Sequence, residues 1–284
     1  MPVAEASFFP TMTSNVFEDY SAYYDLLYHD KDYAKEADYV AQTLRAADPS
    51  VSDLLEFGSG TGRHGRLLEE RGLRVLGVER SKSMVAAARN TTPLLQTGAG
   101  SFECVQGDIR TLQLDRVFDA VVALFHVISY QTANADILQT FENAARHLKP
   151  SGLFLFDVWH GPAVLTARPS VRMKRVEDEN SLLTRIAEPE LDTNGSVVTV
   201  NYTLFAESKV DARFRTFKER HRMRYFFPVE IDFLAGQTGF NVKRTEEFLT
   251  RRPVSENTWG VSYLLRKDTS TIQEGPTTRP LVQQ

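Results

Sequence analysis

Little in this chain points outside the cell or into a membrane. It holds one cysteine, Cys104, so no internal disulfide can form, and that usage fits a reducing compartment. No apolar run reaches the roughly 18 residues of a membrane-spanning helix. The opening stretch MPVAEASFFPTMTSN lacks the basic flank and long apolar core of a secretory signal. A cytoplasmic chain is the expectation. Excess charge is scarce too. Lys and Arg number 33 against 37 Asp and Glu, a net charge of -4, which gives no basis for binding nucleic acid. Zinc-ligand spacing, a P-loop, a nucleophile elbow and internal repeats are all missing, so no metal is expected. What is present is ordinary. The chain has 284 residues, 42% apolar and 25% charged, which suits one large domain or one domain with an insertion.

Short apolar runs alternate with helical patterns through the first part of the chain. The runs are DLLEF (53–57), RVLGVE (74–79), FECVQ (102–106), FDAVVALF (118–125) and LFLFDVW (153–159). Helical stretches intervene at about 63–71, 82–90 and 133–148. Strands separated by helices of this length predict β-α-β crossovers and a parallel sheet, and the nearly continuous apolar character predicts strands covered on both faces.

The pattern changes near residue 168. GSVVTVNYTLFAES sets Val198, Val200, Tyr202 and Leu204 against Thr199, Asn201 and Thr203, and Asn194-Gly195 before it signals a hairpin turn. FKERHRMRYFF alternates again, with Lys218, Arg220, Arg222 and Arg224 on one face. That face reads as a solvated edge or as an attraction for an anionic acceptor. An antiparallel block of three or four strands is expected. PVEIDFLAGQTGF (228–240) then reads as a helix, and NVKRTEEFL and WGVSYLLRK as two closing strands. The division is a flexible start at 1–14, a nucleoside-binding core at 15–167, an inserted block at 168–227, a return to the sheet at 228–268 and a disordered tail at 269–284.

The stretch LLEFGSGTGRHGRLL joins the first strand to a helix and carries two overlapping patterns. G-T-G-R-H-G, Gly60 to Gly65, fits a nicotinamide or flavin site. E-x-G-x-G-x-G, Glu56 to Gly62, fits another nucleoside ligand. Glycines here let the backbone approach a ligand and leave helix-terminal amides free. Glu79 ends the second strand, where a carboxylate can accept from both ribose hydroxyls, and both cofactor readings predict it. In VQGDIR, Asp108 lies just past the third strand. Its carboxylate can accept from an adenine amino group while the Ile109 amide faces a ring nitrogen. Met84 can pack on the adenine face or simply fill the core. Glu56 can orient the turn or receive a cofactor amino group through water. His64 reads as structural or as a cofactor contact, and Cys104 as a buried core residue.

In order and spacing, LLEFGSGTGRHG, VLGVERSKSMVAAAR, VQGDIR and FDAVVALFHVISY resemble the class I S-adenosylmethionine-dependent methyltransferases. YSAYYDLLYHDKDYAKEADYV resembles the N-terminal segment of the N-methyltransferases that dimethylate nucleotide-linked amino sugars in macrolide pathways. The resemblance spans roughly 17–267. It implies an α/β sandwich around a mainly parallel seven-stranded sheet with an inserted antiparallel β block, as a lid or a homodimer surface. It implies cofactor roles for Gly58, Gly60, Gly62, Glu79, Met84, Asp108 and Ile109. It sets Leu124, Phe125 and His126 beside the reactive sulfonium, and it closes Tyr24, Tyr28 and Tyr33 over the cofactor. Those tyrosines read equally as core packing of an amphipathic helix.

His126 and His160 each follow the C-terminal end of a strand, where ligands of open α/β folds bind, and each is a candidate base. Tyr28, Tyr130 and Trp159 are candidate acceptor contacts. The expected reaction is methyl transfer to a small molecule, through a sugar amine or, as the runner-up, a hydroxyl. A nicotinamide oxidoreductase and a catalytically silent binding protein are the readings from other classes. No partner among nucleic acids or membranes is expected.

Overall fold

Strands form where the sequence runs apolar, because a strand covered on both faces must place apolar side chains toward both. In the computed structural model, which describes residues 21–90 and 100–269, these are β1 (Asp53–Phe57), β2 (Arg74–Glu79), β3 (Ser101–Gln106), β4 (Phe118–Ala123) and β5 (Leu148–His160). The loose ends expected at 1–14 and 269–284 lie outside the described residues, apart from Thr269. The pairings β3–β2, β2–β1, β1–β4 and β4–β5 are all parallel. β4 stops two residues short of the expected end. Phe125 and His126 turn left-handed there, with φ of 62° and 61°, and lead into a single 3-10 turn, Val127–Tyr130.

Four antiparallel strands follow: β6 (Arg172–Glu177), β7 (Ser181–Asp192), β8 (Val197–Ser208) and β9 (Phe214–Phe226). The β7–β8 hairpin sits at the expected turn, but its loop is 193–196. Asp192 accepts from the amides of Asn194 and Gly195, and the positive φ (53°) falls on Ser196 rather than on the glycine. Then β10 (Phe240–Glu247) pairs antiparallel with β11 (Gly260–Lys267), and β11 with β5. The order β3-β2-β1-β4-β5-β11-β10 is the expected seven-stranded sheet. The block joins it at one place, where Trp159 and His160 of β5 pair with Tyr225 and Phe226 of β9.

The helices are α1 (Ser21–Leu27), α2 (Tyr33–Ala47), α3 (Arg63–Glu70), α4 (Lys82–Asn90), α5 (Asn134–Arg146), α6 (Gly161–Thr166) and α7 (Pro228–Gln237). Asp32 caps α2 by accepting from the Lys35 amide, and Pro228 starts α7 where no amide partner is required. One apolar layer packs Phe141, Phe154, Phe156, Ile231 and Tyr263 on one face of the sheet. The other packs Val40, Leu44, Leu54, Leu68 and Leu155. A third cluster lays Leu27 of α1 against Val176, Leu183 and Leu204 of the block. Salt bridges extend that contact both ways: Lys174 of β6 holds Asp30 at 2.6 Å, and Arg63 of α3 lies 3.6 Å from Asp25. Among the described residues, no helix is long and apolar enough to cross a membrane.

Candidate active site

A cleft of about 950 Å³ opens at the C-terminal ends of the parallel strands, beneath α1 and the block. That is the upper end of the range for small-molecule sites, about 300–1,000 Å³. One side is built by the β1–α3 turn. Gly58, Gly60 and Gly62 have φ of 67°, 55° and 80°, which L side chains adopt only with strain. A Cβ on Gly58 would lie 2.5 Å from a Val127 methyl carbon. Glu79, ending β2, is locked by the turn it faces. Its Oε2 accepts from the Gly60 amide at 3.0 Å and its Oε1 from the Ser81 amide at 2.8 Å. Each oxygen keeps lone-pair capacity toward the cleft. Met84, Ile109 and Leu124 are buried and line the same side.

Asp108 lines the cleft past β3, with a partner that the sequence reading omitted. Its Oδ1 accepts from the Arg110 amide and Nε, each at 2.9 Å, and its Oδ2 from Arg110 Nη2 at 2.6 Å. The guanidinium also reaches Asp136 at 2.9 Å. The hydrogen bonds from Arg110 hold the Asp108 carboxyl below the usual range despite its partial burial.

Where the sheet meets the block, the two left-handed residues after β4 aim side chains into the cleft. Phe125 meets the Tyr28 ring edge-on at 5.1 Å, and His126 places Nδ1 2.7 Å from Asp157 Oδ2. The His126 amide lies 3.2 and 3.3 Å from the two Asp157 oxygens. Asp157 is buried. Burial raises its carboxyl pKa, but the charge and hydrogen bonds of His126 outweigh that and hold it low. Tyr24, Tyr28, Tyr33, Tyr130 and Trp159 all line the cleft as expected.

Three expected site residues do not line it. His160 is buried, with Nδ1 3.2 Å from the Thr258 carbonyl, and burial holds its imidazole below the ordinary range. The reason is strand alternation: Trp159 faces the cleft, so its neighbour faces away. Glu56 lies beneath α3, where a Cβ on Gly65 would come 2.8 Å from its Oε2. Its carboxyl is pushed up to about 8 by complete burial and then by the charge of Glu79. Gly62 faces the core. A side chain there would strike the Phe102 ring at 2.7 Å, so the absence of one lets α3 pack closely on the sheet.

Tyr202, His221, Arg220 and Arg222 also line the cleft and were not foreseen there as a group. The sequence offers the arginine face as a solvated edge or as an attraction for an anionic acceptor, and it does not point to Tyr202 or His221. The available signal was that β9 carries polar residues on both faces, since Glu219 and His221 alternate with the arginines. A strand covering a plain apolar core would not. Both are buried, and His221 joins Tyr130 Oη to Glu219 Oε2 through contacts of 2.8 Å on each ring nitrogen.

Residues 54–152 match the family described as methyltransferase domain. The chain is 27% identical over 230 residues to a dTDP-3-amino-3,4,6-trideoxy-alpha-D-glucopyranose N,N-dimethyltransferase of Streptomyces venezuelae, covering 80% of this chain and 92% of that protein. It is 29% identical over 222 residues to a dTDP-3-amino-3,6-dideoxy-alpha-D-glucopyranose N,N-dimethyltransferase of Streptomyces fradiae, covering 78% and 83%. Among solved structures, Streptomyces venezuelae DesVI is similar with a TM-score of 0.72 at 24% identity, over 86% of this chain and 98% of that one. An S-adenosylmethionine-dependent methyltransferase from Clostridium acetobutylicum is similar with a TM-score of 0.72 at 20% identity, over 87% and 96%. Both share the fold.

Proposed function

Because residues 54–152 belong to the methyltransferase domain family, the chain is an S-adenosylmethionine-dependent methyltransferase, and we propose that its acceptor is an amine on a nucleotide-linked sugar. The observation that carries this reading is the likeness over most of the chain to two enzymes whose names specify dTDP-amino-sugar N,N-dimethylation. The cleft supports it. Arg220 and Arg222 are among the residues lining the cleft, where a diphosphate would find cations, and Tyr130, Trp159 and Tyr202 supply rings for a sugar.

The residues present fit the cofactor. Glycines with positive φ leave room for a ligand against the turn, and Glu79 presents a carboxylate already held by two backbone amides. Gly58, Gly60, Glu79, Met84, Asp108, Ile109 and Leu124 would hold the nucleoside, with Tyr24 and Tyr33 closing over it. The bound cofactor supplies an activated methyl with its own leaving group. The protein therefore has mainly to align the acceptor lone pair and exclude water. Asp157 fixes the orientation of the His126 imidazole at that point. An amine needs only proton loss, whereas a hydroxyl would use His126 as a base. The buried Asp157 behind His126 is the observation favouring O-methylation as a second reading.

The test is labelled methyl transfer to three acceptors: a nucleotide-linked amino sugar, the free amino sugar and the nucleotide-linked hydroxyl analogue. The nucleotide-linked amine should turn over fastest, and its kcat/KM should fall as salt screens the arginines. Faster transfer to the hydroxyl analogue would overturn the amine assignment. Stabilisation by NAD(P)H but not by S-adenosylhomocysteine would overturn the cofactor.

A further inference from the structure

Three histidines line the cleft, and each has a buried carboxylate behind it; His64, just after the glycine turn, holds Glu36 at 2.7 Å. His126 and Asp157 belong to the sheet. His221 and Glu219 belong to the block, and they reach the cleft differently. The imidazole is 4% exposed and is bonded at both nitrogens, at 2.8 Å to Glu219 Oε2 and at 2.8 Å to Tyr130 Oη. Tyr130 comes from the 3-10 turn after β4, so the chain of contacts crosses from block to sheet. The ring of Tyr202 on β8 stands perpendicular to the imidazole at 4.9 Å, and Arg185 of β7 lies 5.0 Å from that tyrosine ring. Arg220 and Arg222 flank His221 on its own strand. A Glu–His–Tyr series that ends in a hydroxyl at a cleft is arranged to move a proton inward from whatever binds there.

An aliphatic amine needs this. With a lysine-like pKa, only a fraction on the order of 10⁻³ is neutral at pH 7, and the ammonium form has no lone pair to attack a methyl. We propose that Tyr130, His221 and Glu219 form the relay that deprotonates the acceptor ammonium; this rests on the amine assignment above. Glu219 accepts from His221 Nε2–H, which leaves Nδ1 as the acceptor for the Tyr130 O–H. The acceptor N–H bond breaks as its proton passes to Tyr130 Oη, and the Tyr130 proton passes to His221 Nδ1. The amine is then neutral, and the imidazolium is held beside the Glu219 carboxylate. After product release the proton returns through Tyr130 to water. Tyr130 is the group that touches the acceptor, while His221 and Glu219 are positioning residues that act through it.

The experiment compares Tyr130→Phe and Glu219→Gln with the wild type, using full-length enzyme and the best amine acceptor from the panel. Thermal melting checks each fold, and calorimetry with S-adenosylhomocysteine should show affinity within about twofold of wild type. Tyr130→Phe should lower kcat/KM at pH 7 by about 10²–10⁴. That deficit should shrink as pH rises toward the acceptor's own pKa, where solution supplies the free amine. An alkoxyamine acceptor, already neutral at pH 7, should show little deficit at any pH. Glu219→Gln should follow the same pattern with smaller amplitude. A deficit of equal size at every pH, or one retained with the alkoxyamine, would reduce the three residues to packing and overturn the relay. Wild-type transfer to hydroxyls alone would instead remove the amine assignment, and the relay with it.

Discussion

The two sides of the cleft are assembled by opposite means. The glycine-turn side takes Gly58 and Gly60 from the turn after β1, Glu79 from β2, Met84 from α4, and Asp108 and Ile109 from the turn after β3. The block side takes Tyr28, Tyr130, Trp159, Tyr202 and His221 from the turn after α1, the 3-10 turn, β5, β8 and β9. The first is a product of local geometry, in which a turn with positive φ fixes amides and the amides fix a carboxylate. The second exists only because the block docks on β5 at Trp159 and His160. Their buried glutamates differ in the same way. Glu219 is partnered by a histidine, whereas Glu56 has an Oε2 with no hydrogen-bond partner among the described residues and feels a second carboxylate.

If the turn side is set by backbone conformation, Gly58→Ala should cause the largest loss. A left-handed φ costs an L residue about 1–2 kcal/mol, and overpacking against Val127 adds roughly 1–3 kcal/mol. Binding of S-adenosylhomocysteine should fall by about a hundredfold in calorimetry, with a lower melting temperature. Near-normal affinity would mean that the turn tolerates other conformations and that the contrast with the block side is false.

The contrast between the glutamates predicts a pH effect of similar order. The folded carboxyl of Glu56 titrates at about 8, above its ordinary 4.5. The protonated form is therefore the stable one in the fold. Its contribution is complete below about pH 4.5 and is lost as pH rises toward 8, at about 1.4 kcal/mol per unit within that window. Wild-type stability, measured by urea denaturation, should decline across pH 5–8, and Glu56→Gln should flatten the decline. Parallel curves would show that Glu56 has a partner in solution.

Glu79→Ala removes a carboxylate proposed to make two charge-assisted hydrogen bonds to a ribose, each worth roughly 1.5–3 kcal/mol. At least a tenfold weaker S-adenosylhomocysteine complex is expected by titration calorimetry. Asp108→Asn should do least. An amide oxygen still accepts from an adenine, and the loss of charge falls mainly on Arg110, which keeps Asp136. A larger loss from Asp108→Asn than from Glu79→Ala would place the anchor of this side on β3 rather than β2.

The alternation of apolar runs with helical periods determined the parallel sheet, because a strand hidden on both faces cannot be polar. The glycine spacing and Glu79 determined the turn side, because its contacts lie within one or two elements of each other in the chain. Even there, tertiary packing reassigned residues. Gly62 faces Phe102, and Glu56 sits under α3, since adjacent backbone positions point to opposite sides. On the block side, sequence gave Tyr130 and Trp159 as candidates but could not separate Trp159 from His160 as the inward residue, because one step of register exchanges the faces of a strand. Nor could it join Tyr130 to His221, 91 positions away, or His126 to Asp157, 31 positions away. Those contacts depend on where the block docks and on two left-handed residues after β4, and neither leaves a periodicity in the sequence. Local turns and alternation are written along the chain; the meeting of distant strands is decided only when their buried faces are packed together.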